Sequence, residues 1–299
     1  MEIPHDKKWI RWSSNQEWYE LYCVDHSDKE LHKYFDKYLR DVDNDWEKTP
    51  KVRWSALQFG DREAIDDIEF ADFPVPGTEY RELHLSSSGL SEQLVSKDGI
   101  VTYNSEDSNS VADFTYTFPQ KSRLIGLPKA VLYMSAPSHN DLNVFVILRK
   151  RDKNGKLLMH LCFPFSAIPK AYKSIDDIPE KERASLNLHM GSVGVLRASH
   201  RKFDLERSIH PQFPFHPHDV EEKITPGEVV KLEIGIWSMG IDFDEGESIS
   251  VQVSGSFPSI AEYAAFSKPR PEEEKNKGEH RIHCGPQTPS RVILPFVPL

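Results

Sequence analysis

Two hydrophobic periods divide this chain. Near the start, Leu31, Tyr34, Phe35, Tyr38 and Leu39 recur at the three- and four-residue steps of one helical stripe. Ser27-Asp-Lys-Glu30 just before them has capping-box spacing, a hydroxyl for the open amides and a carboxylate reaching back, so a helix is predicted to begin there. Ahead of it, residues 8–12 read as a short strand and 13–26 as an aromatic-rich loop.

From Lys51 the period becomes two. Residues 51–59 and 79–85 read as strands around an acidic, proline-containing loop, and 105–110 as a polar turn before a strand at 112–118. Strands follow at 129–134 and 141–150. In the latter, Leu142, Val144, Val146 and Leu148 alternate with Asn143, Phe145, Ile147 and Arg149, and the partly apolar second face predicts cover on both sides. Asn154-Gly155 is a hairpin turn signal. Residues 164–186 form the longest insertion, with a short helix expected about 176–183. Further strands are expected at 193–201, 229–237, 247–253, 280–284 and 291–297, with an acidic turn at 242–246 and a solvated, charged loop at 268–278. Many short strands joined by turns, with one long helix, predict a mostly β chain folded as a jelly-roll sandwich.

Composition narrows the function classes. With 38% hydrophobic and 11% aromatic residues among 299, the chain can bury a core. A formal charge of −10 argues against nucleic acid or an anionic membrane as partner. The first residues have no apolar leader, and no run reaches the ~18 apolar residues of a membrane span. Cys23, Cys162 and Cys284 are odd in number and far apart, so neither a disulfide framework nor a zinc ribbon is expected, and a cytoplasmic setting fits.

Candidate chemistry concentrates between Gly194 and Trp237. Arg197, His200, Arg201, His216, His218 and Asp219 are suited to an acid–base or anion-binding site, or to fastening a loop through pairs with Asp219. His216 and His218 stand two apart but lack a third ligand nearby, so no metal is expected. Asp41, Asp43, Asn44 and Asp45 lack the glycine and distal glutamate of a calcium loop and read as a helix exit. Glu272-Glu-Glu274 reads as a solvated charge run. Trp12, Trp54 and Trp237 are candidates for an aromatic pocket.

The motifs Leu196-Arg-Ala-Ser-His-Arg201, Phe215-His-Pro-His-Asp219, Pro226-Gly-Glu228 leading into Ile236-Trp237, and Pro289-Ser-Arg-Val-Ile-Leu-Pro295 resemble the C-terminal domain of the X-Pro dipeptidyl-peptidase and cocaine-esterase (CocE/NonD) family. The resemblance implies a galactose-binding-like jelly roll over residues 51–299. Trp9-Ile-Arg-Trp12, Asn15-Gln-Glu-Trp18 and Tyr34-Phe-Asp-Lys-Tyr-Leu-Arg40 with Asp43-Asn-Asp-Trp46 resemble the tail of that family's α/β-hydrolase domain. Residues 1–50 would then be a remnant of its last strand, catalytic-histidine loop and last helix. No G-x-S-x-G elbow is present, and Ser13 stands where the resemblance places the histidine. A serine cannot relay a proton near neutral pH as an imidazole does, so hydrolysis by a Ser-His-Asp triad of its own is not expected.

Three functions follow as expectations. The first is a cofactor-independent small-molecule enzyme or binder, using acid–base assistance to cyclisation, dehydration or isomerisation. The second is a non-catalytic module docking on a partner hydrolase or another protein. The third is residual dipeptidyl-peptidase or esterase activity only within a larger complex. Aromatic surface left bare by a missing hydrolase domain also predicts a homodimer.

Overall fold

The computed structural model describes residues 6–168, 172–183, 186–257 and 277–299. Strands β1 (Ile10–Trp12), β2 (Val52–Ala56) and β3 (Ile65–Phe70) accompany helices α1 (Glu17–Cys23) and α2 (Asp25–Arg40). Strands β4 (Glu79–Ser86), β5 (Gly89–Ser91), β6 (Gly99–Asn104), β7 (Ala112–Thr117) and β8 (Ser122–Gly126) come next. Then β9 (Lys129–Ser135) and β10 (Asn143–Arg151) lead into an insertion with β11 (His160–Leu161), the one-turn helix α3 (Glu180–Arg183) and β12 (Leu188–His189). The rest are β13 (Ser192–Arg197), β14 (Val230–Gly235), β15 (Met239–Phe243), β16 (Ser248–Ser254), β17 (Glu279–Cys284) and β18 (Arg291–Val297). Contacts group these into two compact units, Met1–Pro76 with Met159–His189, and Gly77–Leu158 with Met190–Leu299.

In the first unit, β1 runs parallel to β2 and β3 antiparallel to it, with a bulge between Trp54 and Ala56. All five β2 residues are buried, as the central strand of a covered sheet requires. Tyr34 and Tyr38 of α2 pack on Trp9, and Tyr34 also on Trp46. The insertion carries its own small core of Leu161, Ile175, Ile178 and Leu186.

The described regular structure of the second unit is mainly β-strand. One sheet has the order β13-β10-β16-β7; the other runs β15-β8-β18-β9-β17-β6, with β14 on β9 and β4 on β18. Val144, Val146 and Leu148 of β10 and Val251 and Val253 of β16 are fully buried, as are Leu124, Leu132 and Ile282 of the larger sheet. β10 is covered on both faces, as its alternation predicts: Phe145 and Ile147 are buried too. Two ion pairs lie inside. Arg123 donates twice to Asp242, at 2.6 and 2.8 Å, and fully buried Lys150 meets Glu247 at 2.7 Å and the Asp242 carbonyl at 2.6 Å.

The mostly β sandwich matches the sequence expectation. Asn154-Gly155 makes its turn, with Gly155 at φ 83° and the Asp152 N–H donating to the Lys156 carbonyl. Several local readings are corrected. The expected loop at 13–26 contains α1, and α2 starts at Asp25 rather than at Ser27. Ser27 is therefore inside the helix, and its hydroxyl turns to Glu20 rather than capping. The α2 stripe is divided: Tyr34 and Tyr38 are half-buried, while Leu31, Phe35 and Leu39 are exposed. Asp242 belongs to β15, not to a turn, because Arg123 neutralises it in the sheet. β3 lies where an acidic loop is expected, its carboxylates at Asp66, Asp67 and Glu69 masking a strand that pairing with β2 stabilises; β6 and β8 are further strands beyond those expected. The charged loop at 268–278 lies outside the described residues up to residue 276, as does Glu272-Glu-Glu274. No described helix is long and apolar enough to cross a membrane.

Candidate functional site

β13 ends at Arg197, and one turn of 3-10 helix, Ala198–His200, starts the long irregular path to β14. This path brings the three histidines into a row. The rings of His200 and His218 are 5.2 Å apart, and those of His218 and His216 6.1 Å. His218 adopts the left-handed φ of 56°. Burial, then the neighbouring His200 and His216, depress its basicity. His216 has its Nδ1 3.0 Å from the Lys202 carbonyl and its Nε2 3.0 Å from the Glu233 carbonyl.

The arginines do not join Asp219. Arg197 donates from Nε to Asn143 at 2.8 Å, and Arg201 donates to the Glu222 carbonyl at 2.6 Å and approaches its carboxylate at 3.5 Å. Asp219 instead faces Lys202 at 3.4 Å, near the surface. The carboxylate that organises the segment is Asp141. It accepts from the Ser199 hydroxyl at 2.7 Å, the Ser199 amide at 2.9 Å, the Leu142 amide at 2.9 Å and Lys223 at 2.9 Å, with Arg197 at 3.9 Å. Burial alone would raise its pKa; the bonds from Lys223, Ser199 and Leu142 outweigh that and hold it below the usual carboxylate range. Asp141 stands 58 and 82 positions from Ser199 and Lys223, so no local motif signals its role. An isolated aspartate opening a strand was the only cue.

In the first unit, Trp12 stacks on Trp54 with centroids 5.7 Å apart, and Trp54 on Phe73 at 4.8 Å. Trp12 and Trp54 are thus brought together. Trp237 belongs to the second unit and is 73% exposed, so it is no wall of a described pocket. Beside the stack runs a partly buried ionic lattice. Glu20 accepts from Ser27 and from Asn15 at 2.7 Å, and pairs with Arg11 at 2.9 Å. Arg11 also bonds Asp67, and Arg53 makes a two-pronged contact with Glu30 at 2.6 and 3.0 Å. Burial pushes the Glu20 pKa up, but Ser27, Asn15, Arg11 and Ser13 together bring it below the ordinary value. Ser13 therefore works within this lattice, its hydroxyl also accepting from the Asn15 amide at 3.1 Å.

Other reactive groups are muted. Burial pushes the Cys162 and Cys284 thiols up to about 11, far from thiolate chemistry near neutrality. Among the described residues no group of three or more His, Cys, Asp or Glu is placed to hold a metal ion. A cleft of ≈ 270 Å³ in the second unit is lined by Arg81, Lys121, Arg123, Phe296 and Leu299 among others, and by none of the sequence candidates.

The family model for the X-Pro dipeptidyl-peptidase C-terminal non-catalytic domain matches residues 44–293. Cocaine esterase from Rhodococcus sp. (strain MB1 Bresler) is 24% identical over 288 residues, which cover 89% of this chain and 45% of that protein. A CocE/NonD family hydrolase structure from Staphylococcus aureus superposes with a TM-score of 0.81 at 29% identity, over 98% of this chain and 49% of that one. An aminopeptidase from a Thaumarchaeota archaeon of marine sediment shares the fold, with a TM-score of 0.59 at 16% identity, over 94% of this chain and 45% of that one. The chain thus spans about half the length of these relatives.

Proposed function

From the premise that the chain belongs to the family of X-Pro dipeptidyl-peptidase C-terminal non-catalytic domains, we propose that it is the non-catalytic half of a hydrolase. It docks on an α/β-hydrolase body through the helical face of its first unit and contributes no nucleophile, acid or base of its own. The observation that carries this reading is the bare line on α2. Leu31, Phe35 and Leu39 stand at four-residue steps with 38, 42 and 75% exposure, and Trp18, Leu21 and Tyr22 of α1 are exposed as well. Isolated surface apolar residues are ordinary, whereas a row of them on one helix face suits an interface. The choice of occupant is supported by the relatives, a cocaine esterase and a CocE/NonD family hydrolase, about half of each of which lies beyond this chain's match.

Acid–base catalysis at the histidine cluster has less support. His216, Arg197, Arg201 and Asp219 each have protein partners that fasten the segment 197–223. The test has two arms. The purified chain is assayed on a p-nitrophenyl ester and an X-Pro p-nitroanilide, and no turnover above buffer is expected. It is then mixed with the hydrolase half of the staphylococcal relative, and the complex is measured by size exclusion with light scattering. Phe35→Glu with Leu39→Glu should abolish the complex while leaving the unfolding midpoint in place. Turnover by the chain alone that disappears in His200→Asn or His218→Asn would overturn the proposal. So would a homodimer of the chain dissolved by the same α2 substitutions, because a second copy would then be the natural cover.

A further inference from the structure

β14 pairs on one side with β9, Val230 opposite Met134 through Gly235 opposite Lys129. Beyond its end Trp237 donates to the Val193 carbonyl of β13 at 3.1 Å, and on the side away from β9 the irregular segment reaches its backbone at the Glu233 carbonyl. Phe213 lies against Gly235, within 3.1 Å of where a Cβ would sit. Lys129 ties the segment at the Pro211 carbonyl, 2.9 Å away, and His216 ties it at the Glu233 carbonyl. Open strand edges invite unwanted pairing, and a covering loop is a common remedy.

The His216 contact is chemically unusual. Carbonyl oxygens only accept, and a neutral imidazole has one N–H. Two carbonyls at 3.0 Å from its two nitrogens are both satisfied only by the doubly protonated ring. With one proton lost, a ring lone pair faces a carbonyl lone pair, and that arm repels. We propose that His216 is a proton-operated clamp: with both ring protons it ties Lys202 to the outer edge of β14, and without one it frees an arm so that the segment 202–216 loosens from that edge.

The surrounding charges shape how the clamp works. His218 faces His216, and His200 faces His218, so a proton held at His216 opposes protons on its neighbours. Lys202 is paired with Asp219, Arg201 with Glu222, and Lys223 with Glu221 and Asp141. Glu233, whose carbonyl is the anchor, has its carboxylate between Lys129 and Lys231. Arg207 lies over the Phe215 ring. Each charged side chain named therefore has a partner, and His216 is the ring held between two carbonyls.

Long-range ¹H–¹⁵N correlation on the full chain reads the two His216 nitrogens directly, while hydrogen exchange, corrected for intrinsic rates, follows the Glu233 amide and residues 202–216 between pH 5.5 and 8.5. The expected result is a ring protonated at both nitrogens wherever these amides are best protected, and exchange about fivefold faster once a ring proton is lost, the loss of about one net hydrogen bond. His216→Gln should exchange at the faster level throughout, with no step in pH. His218→Asn should shift the step to higher pH by removing a competing ring. A His216 ring neutral across the range, or the same pH step in His216→Gln, would overturn the proposal.

Discussion

His280 offers a measurement that isolates one buried ring. It is 0% exposed in β17, with Nδ1 3.1 Å from the Tyr103 hydroxyl and Nε2 without a hydrogen-bond partner among the described residues. Burial, reinforced by His139, pushes its pKa from 6.5 down to about 4. The unfolded ring takes a proton near pH 6.5, while the folded ring resists until about pH 4. Across that window the unfolded state binds more protons, so stability falls as pH falls, and it is fully present only above the unfolded value. At up to about 1.4 kcal/mol per pH unit, the ring should withdraw about 3 kcal/mol between pH 6.5 and 4. Urea unfolding at fixed ionic strength measures this best as a difference, wild type against His280→Gln. The other histidines depressed by burial, His84, His160, His189 and His210 among them, remain in both proteins and cancel. The variant is expected to be less stable at pH 7.5, since glutamine fills the site imperfectly, yet to lose less stability on acidification. Parallel pH profiles for the two proteins would refute the reasoning, because a ring that titrates alike in both states cannot alter the slope.

Other outcomes follow from the same contacts. Lys150→Met removes the cation 2.7 Å from the buried Glu247 carboxylate and should cost about 3–5 kcal/mol in urea unfolding, with a smaller loss when Glu247→Leu is added. Asp141→Asn weakens the bonds to Lys223 and Ser199 and should lower stability by roughly 2 kcal/mol, with faster exchange over residues 197–224. Ser13→His should restore no ester hydrolysis, assayed on the purified chain, because the position is wired to Glu20 and no nucleophile elbow is present. Gly191→Ala should abolish folding as judged by circular dichroism: Gly191 sits at φ 148°, and an added Cβ would come within 1.9 Å of the Leu148 carbonyl oxygen.

The candidate site was only partly legible in the sequence, for reasons of distance along the chain. Motif spacing picked out the segment holding His200, His216 and His218, and the rings do gather there. Asp219 was the expected partner of the arginines, but near the surface it pairs with Lys202, 17 positions away, while Arg197 and Arg201 bond Asn143 and the Glu222 carbonyl. The segment's main anchor had to come from another strand, and Asp141 is that anchor. Trp12 and Trp54 could be grouped from their types, whereas Trp237 could not be separated from them before burial was known.

What the sequence determined by itself was the element inventory's general character: one amphipathic helix, two-residue alternation in β10, the turn at Asn154-Gly155, and a mostly β chain. These depend on interactions within a few residues, and a local pattern records them completely. Only the tertiary structure decided how Glu20, Ser27, Arg11 and Ser13 share one lattice, how residues 159–189 join the first unit, and why Leu31, Phe35 and Leu39 stay bare while Tyr34 and Tyr38 of the same helix do not. Each depends on what a distant segment places opposite a side chain, and a one-dimensional pattern specifies a face without naming its partner.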